Sequence, residues 1–420
     1  MNKINNKGFS IIELFLIALV IIIILSVGWL VWGKRTQKQS SSPSAASSTW
    51  VSVNGSNLIN ASGKTIRLLG VDASGTENTC MKSGFSTGPL DAAEANGIKS
   101  WHINAVRIPL NEDCWLGING APAAYSGKNY QNAIQKWVTA LNNVGITAIL
   151  DLHHSAPGTY QALSQWPMAD EDHSPTFWSQ VAGDYASNRG VIFDLYNEPY
   201  LGDTTPSSSD WSCWLNGCIN STPTLGLHSV VHYQTAGMQQ LVKVVRATGA
   251  KQPILLGGLH YSGDPCGLSD SDYVAGSCME IADLPHDPLN QLIIGFHNYN
   301  NPKSYCTSVS CWNTIAQATA SARIPLLTGE FGEKDCSAVY MNKYMDWADS
   351  RNISYLAWSW NVNKSASCVS NSNPTNKGNL NIDGSNHSLI SNWSGTPTTI
   401  TPDGVAFHAH LAMPSVYSTE

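Results

Sequence analysis

Residues 147–154 read TAILDLHH, and residues 191–199 read VIFDLYNEP. Each stretch opens as an apolar run and closes on groups that can donate, accept or move a proton. A strand covered on one face alternates apolar and polar residues. A strand buried on both faces reads as a near-continuous apolar run. Both stretches are therefore expected to be central strands of a parallel sheet, with their chemistry gathered at the C-terminal ends.

Six further runs have the same character, at 66–71, 104–108, 253–258, 292–297, 325–329 and 354–360. Amphipathic segments lie between several of them. Ile134, Trp137, Val138 and Leu141 follow helical spacing, as do Met238, Leu241, Val242 and Val245, and again Met341, Tyr344, Met345 and Ala348. Such stripes are read as the core faces of helices. Gly97, Gly145 and Gly249 each fall between a helix pattern and a strand, where a left-handed cap is wanted. Eight buried strands alternating with helices predict an α/β chain folded as a (β/α)8 TIM barrel. An open doubly wound sheet is the rival, but no Gly-x-Gly-x-x-Gly follows the first strand to mark a dinucleotide crevice.

The polar residues fall at one end of this arrangement. Arg107 closes strand 2, His153 and His154 close strand 3, and Asn197-Glu198-Pro199 closes strand 4. His260 and Tyr261 follow strand 5, His297 and Tyr299 follow strand 6, Glu330 ends strand 7, and Trp358 and Trp360 end strand 8. One ionisable residue at a strand end is a structural commonplace. The same placement repeated around a barrel marks a catalytic mouth. Glu198 and Glu330 would face one another across it. Cleaving an acetal needs such a pair, one carboxylic acid to protonate the leaving oxygen and one carboxylate to attack or to activate water. Arg107 beside a carboxylate would hold it ionised. Trp360 is expected in the core, because alternate strand residues face opposite sides. Trp115, Trp166, Trp211, Trp214 and Trp312 fall in segments read as loops after strands 2, 3, 4 and 6, where each either lines a sugar subsite or packs the loop.

Ten cysteines lie beyond residue 50 with no Cys-x-x-Cys pair, so disulfides are favoured over zinc. All lie in segments that follow strands. Local bridges are expected for Cys213–Cys218, Cys266–Cys278 and Cys306–Cys311, with Cys80–Cys114 and Cys336–Cys368 joining neighbouring loops.

The start of the chain reads differently. Residues 9–38 open with the apolar run Phe9–Trp32 and end on Lys34, Arg35 and Lys38, a pattern suited to a membrane helix. Lys7-Gly8-Phe9-Ser10-Ile11-Ile12-Glu13-Leu14 resembles the leader of type IV pilins and pseudopilins, which implies cleavage after Gly8, a Glu13 paired with another subunit, and pilus or pseudopilus partners. A plain signal anchor is the alternative. The expected organisation is a leader at 1–8, a membrane or pilin-like helix at 9–38, a Ser-rich linker at 39–49 and a catalytic domain at 50–420, at the cell surface. A formal charge of −7 offers nothing to nucleic acid.

A second resemblance rests on six segments in order. They are Val106-Arg107-Ile108-Pro109, Leu150-Asp151-Leu152-His153-His154, Leu195-Tyr196-Asn197-Glu198-Pro199, Phe296-His297-Asn298-Tyr299, Gly329-Glu330-Phe331-Gly332 and Trp358-Ser359-Trp360-Asn361. Residues 50–415 resemble glycoside hydrolase family 5, the retaining barrel enzymes that include many cellulases. The resemblance implies Glu198 as general acid/base and Glu330 as nucleophile. It implies Asn197 on the sugar 2-hydroxyl, Arg107 and Tyr299 on Glu330, and His297 near the acid/base. It also implies His153 and the adjacent His154 as binding residues, Trp358 as the stacking platform, and no cofactor or metal. A β-1,4-glucan leads as substrate, with β-mannan and other β-glucans behind it.

Two rivals remain. His153, His154 and His297 could hold a metal, although strand 1 lacks the His-x-His such barrels carry. Alternatively, the barrel could be a surface adhesin or minor pilin that binds glycans without cutting them.

Overall fold

The computed structural model describes residues 49–201, 206–225, 227, 229–263, 284–300, 306–333, 337–362, 388–398 and 402–417. Eight parallel strands close into a barrel. They are β1 (Leu69–Asp72), β2 (Ala105–Asn111), β3 (Thr147–His154), β4 (Val191–Asp194), β5 (Ile254–Gly257), β6 (Leu292–Tyr299), β7 (Leu326–Gly332) and β8 (Ser354–Trp358). The barrel closes where β8 pairs with β1, Trp358 lying opposite Asp72. All of these residues are in one unit, Ala45–Glu420. The expected leader and hydrophobic helix at 1–38 lie outside the described residues. Among the described residues no helix is long and apolar enough to cross a membrane.

Three strand boundaries differ from the sequence reading. Thr65–Ile66 belongs to a small antiparallel sheet with Ser52–Asn54 and Asn57–Ile59, because the Asn60–Lys64 turn folds the chain back on itself. Arg107 sits within β2 instead of closing it. That strand runs on to Asn111, whose side chain accepts from the Cys114 amide and starts the helix Glu112–Leu116. The last strand, β8, stops at Trp358. Trp360 turns into the core and meets Trp101 edge to face at 5.1 Å.

Period-two alternation organises the interior. Ala105, Ile149, Ile192, Leu255, Ile293, Leu327 and Leu356, one from each of seven strands, form a separate apolar cluster with Val51, Leu58 and Leu68. Two residues further along β2, β3, β4 and β8 stand Arg107, Asp151, Asp194 and Trp358. An apolar floor thus lies one layer beneath the polar groups, and it holds them at a fixed height.

The helical stripes bury as expected. Lys128–Asn143 covers Tyr130, Ile134, Trp137, Val138 and Leu141, each stabilising by about 1.5–3 kcal/mol. Met238–Ala247 and Val339–Asp349 bury the stripes named above. Gly145 and Gly249 take positive φ just past their helices, as C-terminal caps should. Gly97 does not. It lies inside the helix Ala92–Lys99, and a Cβ there would stand 2.9 Å from the Ser394 carbonyl carbon and 3.0 Å from Trp393 O. Close backbone approach, and not a cap, explains it.

Disulfides Cys80–Cys114, Cys213–Cys218 and Cys306–Cys311 are present. The first joins the segment after β1 to the helix after β2. The expected pairs Cys266–Cys278 and Cys336–Cys368 involve positions outside the described residues.

Candidate active site

Arg107 is the centre of the polar layer. Its guanidinium is wholly buried and reaches Glu330 Oε1 at 2.8 Å, Asp194 Oδ2 at 2.8 Å, Asp72 Oδ1 at 3.1 Å and Asp151 Oδ2 at 3.1 Å. It also donates to Asn197 Oδ1 at 2.8 Å. One cation cannot balance four ionised carboxylates out of water. Burial drives the Asp72 and Asp194 carboxyls well above their usual range, against the downward pull of Arg107. The Asp151 carboxyl is pushed up to about 7, again by burial first. These aspartates bind their protons more tightly than exposed carboxyls do, and the four surrounding carboxyls raise the Arg107 pKa against the effect of its burial.

Glu330 is held at both oxygens. Arg107 donates to Oε1, and the Tyr299 hydroxyl donates to Oε2 at 2.8 Å. Burial and then the Glu330 charge push the Tyr299 hydroxyl well up, so it stays a donor. A register shift between Phe296 and His297 in the pairing of β6 with β7 brings His297 opposite Glu330.

Glu198 follows β4. Its Oε1 lies 2.9 Å from His297 Nδ1, which is 3.6 Å from Glu330 Oε2. Burial lowers the His297 pKa to about 4, so near neutral pH the ring is uncharged and the 2.9 Å contact is a hydrogen bond of a neutral imidazole. The 3.6 Å approach is too long for a hydrogen bond. Glu198, His297 and Glu330 each place one polar atom within 4.8 Å of the others. The Glu198 side chain is 21% exposed against 6% for Glu330, so one carboxyl faces the solvent mouth and the other the barrel.

Asn197 and His153 are oriented from below. Arg107 has only donors, so it fixes Asn197 with Oδ1 inward and its NH2 group turned away. That NH2 lies 3.5 Å from His153 Nε2, while His153 Nδ1 sits 2.7 Å from Asp151 Oδ2. Burial lowers the His153 pKa to about 3, so this is a hydrogen bond of a neutral ring and not an ion pair. Trp358 is partly exposed and stacks on His153, with centroids 5.7 Å apart and planes 16° apart. His154 packs against His153 at 5.2 Å, and burial lowers its pKa to about 3.

Asp72, Asp151 and Asp194 complete the polar layer, and the sequence carries a signal for the last two. Asp151 and Asp194 stand two positions beyond floor residues, as Arg107 does, so strand alternation places them beside it. The tryptophans in the segments read as loops settle the other way. Trp115, Trp211, Trp214 and Trp312 are fully buried and Trp166 is 3% exposed, and all but Trp166 sit in helices. The four helical ones join the main core, and Trp166 packs with Ala156, Ala162 and Tyr233 in a small cluster of its own.

A second cluster with ligand-like spacing is Glu112, Asp170 and His173. Its carboxylates are already engaged. Ser174 Oγ donates to Glu112 at 2.6 Å, and the His173 amide donates to Asp170 at 2.8 Å. His153 and His154 belong to neither such cluster among the described residues.

Residues 59–364 match the family described as cellulase, glycosyl hydrolase family 5. A curated relative, the manganese dependent endoglucanase Eg5A of Phanerodontia chrysosporium, is 24% identical over 58% of this chain and 56% of its own length. Endoglucanase N of Pectobacterium atrosepticum is 26% identical over 37% of this chain and 30% of its own. The chain thus spans about half or less of the curated relatives it matches. Among solved structures, the endo-β-1,4-glucanase of Xanthomonas axonopodis pv. citri superposes with a TM-score of 0.57 at 18% identity, over 82% of this chain and 99% of that one. The catalytic domain of Thermobifida fusca endoglucanase Cel5A gives 0.53 at 16%, over 86% and 97%. These structural likenesses speak for the fold.

Proposed function

The chain belongs to glycosyl hydrolase family 5, and on that premise we propose that it cleaves internal β-1,4 bonds of a glucan with retention of configuration. The observation that carries the reading is the close approach of Glu198 and Glu330, with polar atoms within 4.8 Å. Carboxyl groups about 5 Å apart leave no room for the water an inverting enzyme places between sugar and base, which needs roughly 6.5–9.5 Å.

In the first step Glu330 attacks the anomeric carbon while the Glu198 carboxyl gives its proton to the departing glycosidic oxygen. A glycosyl ester on Glu330 results. In the second, the Glu198 carboxylate takes a proton from water, which attacks the same carbon and releases Glu330. Arg107 and Tyr299 donate one bond to each oxygen of Glu330 and aim it. Asn197, pinned by Arg107, presents its NH2 to the sugar 2-hydroxyl, where contacts strengthen in the transition state. His297 orients Glu198, and His153 with Trp358 forms a wall on which a sugar ring can stack.

The endo mode and the glucan follow the names of the relatives. The organisation follows the sequence. Phe9–Trp32 and the Gly8-Phe9 junction support a pilin-type leader at 1–8, a membrane helix at 9–38 and a linker at 39–49, which would display the barrel at the cell surface. N-terminal sequencing of the mature protein tests this, with Phe9 as the expected first residue.

The activity is tested by incubating the purified full chain with carboxymethylcellulose, mixed-linkage glucan, mannan and xylan, with Glu330→Ala as the blank. New reducing ends on the two glucans are expected. Binding without cleavage would favour the adhesin, and stronger release from mannan would move the substrate. Activity lost to a chelator and restored by zinc or manganese would favour the metal hydrolase.

A further inference from the structure

Behind the Glu198–His297 pair the chain makes an unusual turn. His260, Tyr261 and Ser262 follow β5 with φ of +59°, +60° and +55°. Three consecutive non-glycine residues in the left-handed region are disfavoured, and such a turn persists only where its surroundings over-determine it. Here the surroundings are the segment after β4 that carries the acid/base and the strand β6 that carries its histidine. The Tyr261 amide donates to Pro199 O at 3.0 Å. The Ser262 hydroxyl donates to Asn197 O at 2.9 Å. The His297 amide donates to Ser262 O at 2.7 Å.

Ser262 therefore grips both partners from beneath. Its hydroxyl holds the carbonyl immediately before Glu198. Its carbonyl holds the backbone of the residue whose ring meets Glu198 Oε1 at 2.9 Å. The side chain is wholly buried, and Gly257 makes room for it, since a Cβ there would lie 2.5 Å from Ser262 Oγ and 2.9 Å from Asn197 O.

We propose that Ser262 is a positioning residue for proton transfer, its hydroxyl setting the height of Glu198 against His297 and the leaving oxygen. This rests on the reading of Glu198 as the acid/base. A proton donor displaced by a fraction of an ångström fails when the leaving group needs the proton, and is indifferent when it does not. The split by leaving group is thus a signature that mere structural support would not produce.

The experiment compares kcat/KM of the full chain on cellohexaose, whose leaving sugar must be protonated to depart as an alcohol, and on dinitrophenyl β-cellobioside, whose phenolate leaves without an acid. Ser262→Ala removes the hydroxyl. Ser262→Gly does so while suiting the positive φ, and serves if the alanine variant fails to fold. Both should lose roughly tenfold on cellohexaose, about the worth of one buried hydrogen bond, with the aryl substrate changed by less than about twofold. Equal losses on both substrates, or no loss on cellohexaose, would overturn the proposal. Glu198→Ala runs alongside. If it shows no such split, the assignment of Glu198 is what has failed. If it shows the split and the serine variants do not, only the role of Ser262 falls.

Discussion

Arg107 Nη1 donates to Glu330 Oε1 at 2.8 Å, joining β2 to β7 across the barrel between residues 223 positions apart. The same guanidinium meets Asp72, Asp151 and Asp194, so it serves the site and the core at once.

Replacing Arg107 by methionine keeps the volume and removes the charge. The carboxyls it served are then buried without a cation, and a broken buried network costs about 3–5 kcal/mol. Denaturant unfolding should show that loss, and kcat should fall at least about a hundredfold. Arg107→Lys should recover little of either, because an ammonium cannot span partners set out for a planar fork.

Tyr299→Phe removes one of the two bonds that aim Glu330 and leaves the ring in place. Its effect should lie in kcat, down by about tenfold to a hundredfold, with KM nearly unchanged. Single-turnover kinetics on an aryl cellobioside would check it. A change confined to KM would instead assign Tyr299 to binding.

Far from the mouth, Glu94 is buried on the helix Ala92–Lys99, and burial raises its pKa to about 7 despite the Leu90 amide. The folded chain therefore keeps a proton that the unfolded chain releases near 4.5. Stability from this group is full below about pH 4.5, falls as pH rises to about 7, and is level above that. Glu94→Gln cannot titrate, so its stability relative to the parent should rise across that window, by up to about 3 kcal/mol. Thermal melts at closely spaced pH values would show it, and a constant offset would refute it.

The Cys80–Cys114 bridge closes a loop of sequence separation 34 and ties down the segment after β1. Replacing both cysteines by serine should cost about 3 kcal/mol, read as a shift in the denaturant midpoint.

The barrel was legible because its strands are buried on both faces, so their apolar runs stood out against helical stripes such as Ile134–Leu141. The mouth was legible because polar residues end those runs. What escaped is the layer beneath. Asp151 and Asp194 interrupt apolar runs without ending them, and only the two-residue alternation counted from Arg107 exposes them. Glycine roles split for a related reason. Gly145 and Gly249 answer to local backbone shape, which sequence shows, while Gly97 answers to Trp393 and Ser394, nearly 300 positions away, which it cannot. Trp115, Trp211, Trp214 and Trp312 lie on helices that carry no clear local sign in the sequence, so their burial was not legible there.

The account stands on Glu330 as the atom donor to the sugar. A fluorinated cellobioside with a good leaving group forms the glycosyl ester and stalls there, because the electron-withdrawing fluorine slows both oxocarbenium-like steps while the good leaving group restores only the first. Peptide mass mapping of the trapped full chain should place one cellobiosyl adduct on Glu330, and Glu330→Ala should take none. An adduct on any other residue, or turnover with inversion and no adduct, would contradict it.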